Sequence, residues 1–289
     1  MADNEETDQE HGGTGLTGLA DLHMHSTYSD GIYTPEELAS AAAAAGIRVL
    51  SVTDHDTLKS IPYAAGAAAA CGLRYIPGVE LSARQGGRQV HILGYGIRPD
   101  CAFLAKRLVE VRNARLIRLQ EILDKLHKLG IDLAVPPPKD GERAVGRPHV
   151  ARAMVAAGYV SDVEEAFARY IGEGRPAYVP QPKMTPAEGV ELIHEAGGIA
   201  VQAHPEEVGS PELVLELLDE LPYDGIEVYH PSASPERQAF WKGEAEKRHF
   251  LITGGSDLHG TTGRFPEHLG QWKVPLQNIT AFLACFGIL

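Results

Sequence analysis

Six histidines and three carboxylates stand at spacings that suit the holding of divalent cations: His23, His25, Asp30, His55, Glu80, His91, His204, Asp257 and His259. In Asp21-Leu22-His23-Met24-His25, an extended backbone sends the side chains of His23 and His25 to one side, where both can hold one ion. Asp21 shares that face and is placed to orient a histidine from behind. Asp30 follows in the turn Ser29-Asp30-Gly31. Thr53-Asp54-His55-Asp56, Gly78-Val79-Glu80, Ala203-His204-Pro205 and Gly255-Ser256-Asp257-Leu258-His259 each close an apolar run, whereas His91 lies inside one. A lone histidine is more often structural or solvated than a ligand. Nine such residues, nearly all at one kind of topological address, point instead to a metal cluster. Imidazole and carboxylate without thiolate suit Mn2+, Fe2+ or Zn2+, and residue types alone do not choose among them.

The elements that must position these residues alternate. Strands are expected over 19–25, 48–53, 73–79, 89–95, 198–203, 225–229 and 250–254. Helices are expected from Thr34-Pro35-Glu36-Glu37, where Thr caps and Pro takes the first turn, and over 58–71, 185–196, 211–219 and 235–248. This is the pattern of a parallel α/β barrel, whose strand C-termini form one face and make residues remote in sequence neighbours. An interruption at about 101–180 holds a long amphipathic helix over 103–129, a break at Pro136-Pro137-Pro138, a helix led by Gly146-Arg147-Pro148-His149, and a third over 162–170. It reads as a small helical insertion beside the barrel mouth, within one domain over 19–289.

The chain has 289 residues, 44% hydrophobic and 22% charged, enough for one substantial core. Its net charge of −13 argues against long nucleic acid and anionic membranes as partners, since those are met by clustered Lys and Arg. A small anion still fits where positive charge is local, and bound cations would supply it. Cys71, Cys101 and Cys285 are odd in number and far apart, so they read as small core residues in a reducing compartment. With no membrane-length apolar run and no secretory pattern at the start, a cytoplasmic location is expected. Residues 1–18 carry five acids and no Lys or Arg, the composition of a disordered tail. Oligomeric state is not legible.

These motifs together resemble the polymerase and histidinol phosphatase (PHP) family, over about Leu19 to His259 and with no family ligand position missing. The resemblance implies a distorted seven-stranded (β/α)7 barrel holding three divalent ions, often manganese. By it, His23, His25, Glu80 and Asp257 surround one ion, Glu80 bridges to a second held by His91 and His204, and Asp30, His55 and His259 hold the third. His23, His25, Glu80, His204 and Asp257 are the residues expected to matter most for catalysis. A water bridging two ions loses its proton near neutral pH and becomes the nucleophile, while the ions neutralise phosphoryl oxygens.

Within the family, Gly146-Arg147-Pro148-His149, Arg175-Pro176-Ala177-Tyr178-Val179-Pro180 and Gly225-Ile226-Glu227-Val228-Tyr229 resemble members acting on nucleoside 3′,5′-bisphosphates or short RNA. Proline at a helix start exposes N–H groups that favour an anion, with Arg147 and His149 beside it and Arg175 as a further phosphate contact. The alternative is a surface arginine and a capping histidine. Arg112, Arg115 and Arg118 recur every third residue, a solvated face rather than a substrate stripe on balance. His230 is a candidate to protonate the leaving group or merely to line the mouth. Tyr178 and Tyr229 are candidates for stacking on a base or for core packing. His11, His127, His194, His249 and His268 read as surface residues. The leading expectation is hydrolysis of the 3′-phosphate of a nucleoside 3′,5′-bisphosphate. A 5′→3′ exoribonuclease of short RNA is the rival, followed by a histidinol-phosphate phosphatase and, from another class, a regulatory metal-binding module without catalysis.

Overall fold

The computed structural model describes residues 17–135, 145–180, 184–262 and 264–288. The expected acidic tail, apart from Thr17 and Gly18, falls outside the described residues together with His11 and the proline run 136–138. In chain order the elements are β1 (Leu19–Asp21), α1 (Pro35–Ala44), β2 (Ile47–Leu50), α2 (Ile61–Ala70), β3 (Arg74–Tyr75), β4 (Gly78–Gln85) and β5 (Arg88–Tyr95). Then come α3 (Ala102–Lys128), α4 (Arg147–Ala156), α5 (Val163–Ala166) and a π-helical turn (Phe167–Ile171). The remainder is α6 (Pro186–Glu195), β6 (Ile199–Gln202), α7 (Pro211–Glu220), β7 (Gly225–Tyr229), α8 (Pro235–Arg248), β8 (Leu251–Gly254), β9 (Val274–Pro275) and α9 (Thr280–Ala284).

Local chemistry explains most of these limits. Thr34 accepts the N–H of Glu37 at 3.2 Å while Glu37 accepts the N–H of Thr34 at 2.8 Å, and Thr185 with Glu188 repeats this reciprocal cap on α6. Pro77 has no N–H to give a ladder, and the expected strand over 73–79 divides there into β3 and β4. The pair Gly86-Gly87, at φ 55° and 83°, makes the two-residue turn that returns β4 into β5.

That turn corrects the expected parallel barrel. β5 runs antiparallel to both β4 and β6, and only β1-β2-β3 and β6-β7-β8 are parallel. The strands form a four-stranded sheet, β3-β2-β1-β9, and a five-stranded one, β4-β5-β6-β7-β8. β9, which no sequence pattern announced, pairs antiparallel with β1. Two isolated bridges join the sheets where the chain has left β1 and β2: Met24 with Leu258, and His55 with Glu80. The fold is therefore mixed α/β, and both seams lie among candidate ligands.

Apolar residues close the layers. Ile92, Val190, Ile193, Ile226 and Trp241 pack in one cluster, Ala20, Val49, Leu93, Tyr95 and Phe282 in a second, and Met24, Leu38, Leu50, Ala64 and Leu258 in a third. Burying each large side chain contributes about 1.5–3 kcal/mol. Residues of α3 to the π-helical turn have their own cluster, including Leu119, Ile122, Leu126, Met154 and Ile171. The cysteines are not in the core: Cys71 and Cys285 are exposed at the C-terminal ends of α2 and α9, and Cys101 is half-buried before α3. No described helix is long and apolar enough to cross a membrane.

Candidate metal centre

Glu80, buried at the seam between β4 and the chain after β2, is the hub. Its Oε2 lies 3.3 Å from His23 Nε2, 3.1 Å from His25 Nε2 and 3.1 Å from His55 Nδ1. Its Oε1 lies 2.8 Å from His91 Nδ1 and 3.0 Å from His204 Nε2. Asp257 Oδ1 faces the same histidines from the β8 side, 3.4 Å from His23 Nε2 and 3.0 Å from His25 Nε2. Asp30 stands at the other end, 3.2 Å from His259 Nε2 and 4.0 Å from His55 Nε2. All nine expected ligand residues thus gather together; seven line one cavity, and His23 and His25 are fully buried beside them.

Their grouping coincides with the expected division in part and departs from it at His91 and His204. Donor atoms of His23, His25, Glu80 and Asp257 lie within 4.8 Å of one another, as do those of His25, Asp30, His55 and His259. His55 also groups with Glu80 and His91, while His204 groups with Glu207 and Asp257. His25 and His55 are therefore shared between neighbouring sets. His91 lies within β5 rather than at a strand end, opposite Ser82 in the hairpin register.

Several buried donor atoms complete no hydrogen bond: His23 Nε2, His25 Nε2, His55 Nδ1, Glu80 Oε2, Asp30 Oδ1 and His259 Nε2. Polar atoms buried without partners are costly, and a divalent cation is the species that satisfies converging imidazole nitrogens and carboxylate oxygens at once. The residues fit such ions. Electrostatics agrees: burial opposes the charge of Glu80, yet the surrounding imidazoles hold its carboxyl well below the usual range. Burial likewise opposes charge on His25, but the carboxylates of Asp257 and Glu80, which favour the protonated and donating ring, carry its pKa up to about 10. The carboxylates demand positive charge in this cluster. The backbone is strained here too, with His204 at φ 21° and Asp257 at φ 51°, a conformation costing about 1–3 kcal/mol for such residues.

A second ring of residues supports the first, and sequence reasoning missed most of it. Buried Glu227 of β7 accepts from His23 Nδ1 at 3.0 Å and from the His204 N–H at 2.8 Å. Asp54 accepts from the Ser26 N–H at 2.7 Å and from the Ser29 hydroxyl at 2.5 Å, pinning the turn that carries Asp30. Asp21 accepts the backbone N–H groups of His23 at 3.3 Å and Ser256 at 2.9 Å, so it ties two ligand-bearing segments together and does not touch a histidine ring. Gly255 permits that approach, since a Cβ there would lie 2.4 Å from the backbone nitrogen of His23.

The cavity, roughly 370 Å³, is lined by Arg115, Arg118, Arg147 and Arg264 as well as by candidate ligands. The expected solvated face of α3 is thus overturned for Arg115 and Arg118, which are only 6% and 5% exposed. Arg115 pairs with buried Asp56 and donates to Ser82 Oγ at 2.8 Å, while Arg118 Nε donates to the Val179 carbonyl at 2.9 Å. Burial, then the charges of Arg147 and Arg115, lower the pKa of Arg118. Arg147 donates to Gln89 Oε1 at 3.1 Å and lies over the Phe167 ring at 5.2 Å. Arg264 donates to Asp257 Oδ2 at 2.5 Å.

Of the other expected substrate residues, His149 and Arg175 lie outside the cavity lining, while His230 is buried against the candidate ligands. His149 does not line the cavity; its Nδ1 accepts the Gly146 N–H at 3.2 Å, a cap for α4. Arg175 is exposed and outside the cavity lining. His230 is 3% exposed, held at Nδ1 by Ser232 Oγ at 2.7 Å, with Nε2 3.7 Å from Asp257 Oδ2. Tyr178 accepts from Arg84 at 2.9 Å, and Tyr229 packs against the core.

A family model for the PHP domain matches residues 21–134. A 3′,5′-nucleoside bisphosphate phosphatase of Chromobacterium violaceum is 35% identical over 260 residues, covering 86% of this chain and 90% of that protein. The chain belongs to the PHP family. The PHP chain is also 42% identical over 193 residues to a 5′-3′ exoribonuclease of Haemophilus influenzae, 66% of this chain and 70% of the relative. A solved structure from Bifidobacterium adolescentis, assigned by inference as a metal-dependent phosphoesterase, matches with a TM-score of 0.80 at 29% identity over 92% of this chain and 95% of that one. This PHP protein is a hydrolase of phosphate esters, and its clustered imidazoles and carboxylates form several groups that could hold a metal ion.

Proposed function

We propose that the chain removes the 3′-phosphate from a nucleoside 3′,5′-bisphosphate. The observation that carries this reading is a single cavity whose lining holds candidate metal ligands together with Arg115, Arg118 and Arg147. A substrate with one phosphate suits the candidate ligands alone. A second phosphate would meet the positive charge of Arg118 and Arg147 in the cavity lining, and the charge crowding around Arg118 favours an anion there.

Three divalent cations, Mn2+ by the family resemblance and otherwise Fe2+ or Zn2+, would be held by His23, His25, Glu80 and Asp257, by Glu80, His91 and His204, and by Asp30, His55 and His259. When bound, such ions supply Lewis acidity at the phosphoryl group and lower the pKa of water. The chain's own residues do the rest. Glu227 fixes the His23 tautomer so that Nε2 faces the reacting centre. Arg118 and Arg147 hold the phosphate that does not react. His230, buried beside Asp257 and oriented by Ser232, is our candidate for giving a proton to the departing alkoxide.

The two bridges between the sheets support reading β1, β2 and β4 to β8 as one distorted ring of seven strands, interrupted at about 101–180. Histidinol phosphate fits poorly because its ammonium would meet the arginines of the cavity. Cleavage of short 5′-phosphorylated RNA uses the same chemistry, and the exoribonuclease relative favours it as the second reading. Turnover of a nucleoside 3′,5′-bisphosphate against that of a 5′-phosphorylated trinucleotide, with Mn2+ supplied, tests the choice. Release of 3′-phosphate from the bisphosphate is expected; hydrolysis of the trinucleotide alone would overturn the proposal.

A further inference from the structure

A histidine that gives one ring nitrogen to a cation carries its proton on the other, and that N–H needs an acceptor. Behind His23 the acceptor is Glu227 at 3.0 Å, and behind His259 it is the Asp257 carbonyl at 2.8 Å. His204 differs. Its Nε2 faces Glu80 Oε1 at 3.0 Å, whereas its Nδ1 is buried and makes no hydrogen bond. Glu227 secures only the backbone N–H of this residue, not its ring.

The carboxylate that faces the unpartnered nitrogen is Glu207, whose Oε2 stands 3.9 Å from Nδ1. Local structure fixes the relation: Glu207 lies three residues on, in the 3-10 turn Pro205–Val208, and its N–H donates to the His204 carbonyl at 2.9 Å. Side chains three apart in such a turn lie one above the other. Among the described lining residues of the cavity, Glu207 is the one acid outside the nine expected ligands. Its side chain is 42% exposed and, among the described residues, accepts no hydrogen bond. A side-chain rotation that closes about 1 Å brings the pair to roughly 2.7–2.9 Å, the distance of a charge-assisted bond.

We propose that Glu207 is a positioning residue: its carboxylate accepts the Nδ1–H of His204 and so holds Nε2 toward Glu80, on the side where a divalent cation would be bound. The proposal rests on the metal-centre reading and adds to it a residue that is neither an expected ligand nor part of the buried support given by Glu227, Asp54 and Asp21. Direct ligation is the competing role, because donor atoms of His204, Glu207 and Asp257 lie within 4.8 Å of one another. Against it, Glu207 Oε2 approaches Nδ1, and the nitrogen turned to Glu80 is Nε2.

Mn2+ titration calorimetry on the chelator-treated parent, Glu207→Ala and Glu207→Gln, with the melting temperature of each metal-free protein, tests the assignment. Glu207→Ala should weaken Mn2+ binding about 10- to 100-fold, with the number of ions at saturation unchanged. Its metal-free melting temperature should equal the parent's, since an exposed side chain without a hydrogen bond holds little of the fold together; a drop there that accounts for the weaker binding would overturn the proposal in favour of a structural role. Glu207→Gln should recover most of the affinity, because the amide oxygen still accepts the N–H. Unchanged Mn2+ affinity in Glu207→Ala would overturn the proposal. So would the loss of one ion at saturation in both variants, which identifies a direct ligand whose charge is required. A parent protein that binds no Mn2+ would sink the metal-centre reading and the proposal with it, a result distinct from Mn2+ binding that ignores position 207.

Discussion

Glu227 holds His23 by Nδ1 at 3.0 Å, and with its other oxygen takes the backbone N–H of His204, so one buried carboxylate orients two ligand-bearing segments. Its charge is secured in turn: burial opposes it, but His23 keeps the carboxyl below its ordinary range. Glu227→Gln preserves the shape and removes the charge. We expect Mn2+ affinity to fall about 10- to 100-fold, as for other partners of ligating histidines, with the circular dichroism spectrum unchanged. Metal titration calorimetry would show it.

At the hub itself, His25→Ala or Glu80→Ala should abolish turnover, since Glu80 faces five imidazoles at once. The far-ultraviolet dichroism should persist because neither side chain belongs to an apolar cluster. Normal activity in either variant would refute the proposed metal site.

Removing the ions gives a complementary measurement. Ligands that bind only the folded chain raise its stability by about 2.7 kcal/mol at a hundred times Kd. Mn2+ should therefore raise the melting temperature of chelator-treated protein by roughly 2 °C or more. In Glu80→Ala the same addition should produce a markedly smaller shift.

Among the arginines of the cavity lining, Arg118→Ala and Arg147→Ala should act on the second phosphate rather than on the reaction. Charge-assisted hydrogen bonds contribute about 1.5–3 kcal/mol each, so kcat/KM for a nucleoside 3′,5′-bisphosphate should drop by roughly ten- to a hundredfold. A nucleoside 3′-monophosphate should lose far less. Equal losses on both would show that these arginines do not read the second phosphate.

Arg115 differs from them because its charge is already matched by Asp56. Arg115→Ala strands a fully buried carboxylate and should destabilise the chain by about 3–5 kcal/mol in urea denaturation. Adding Asp56→Asn should recover part of that loss, and asparagine tolerates the φ of 50° found there.

The candidate ligands other than Asp30 and His91 were legible because they stand in short motifs at the ends of apolar runs, and the arrangement of strands brings those ends together. The supporting residues were harder to see. Glu227 is a single acid in an otherwise apolar strand, Gly225-Ile226-Glu227-Val228-Tyr229, a signal that burial without a partner would forbid. Arg115 occupies a place in the apolar stripe Leu104, Leu108, Val111, Leu119, Ile122 and Leu126, which already marked it as inward-facing. Reading the arginines at their own interval of three, instead of along the 3.6-residue face of the helix, placed them in solvent. Arg264 and β9 lie in a stretch without periodicity, where pairing depends on distant partners that local pattern does not carry.

The turn at Gly86-Gly87 settles more than the direction of β5. Side chains on a strand alternate sides, so the length of this turn determines whether residue 91 presents its ring to Glu80 or to the opposite face. A one-residue slip of β5 against β4 would invert that parity without altering any candidate ligand in the sequence. The two-residue turn thus acts as a gauge block for the cluster: slipped by one, the hairpin would keep all nine residues and present one imidazole fewer.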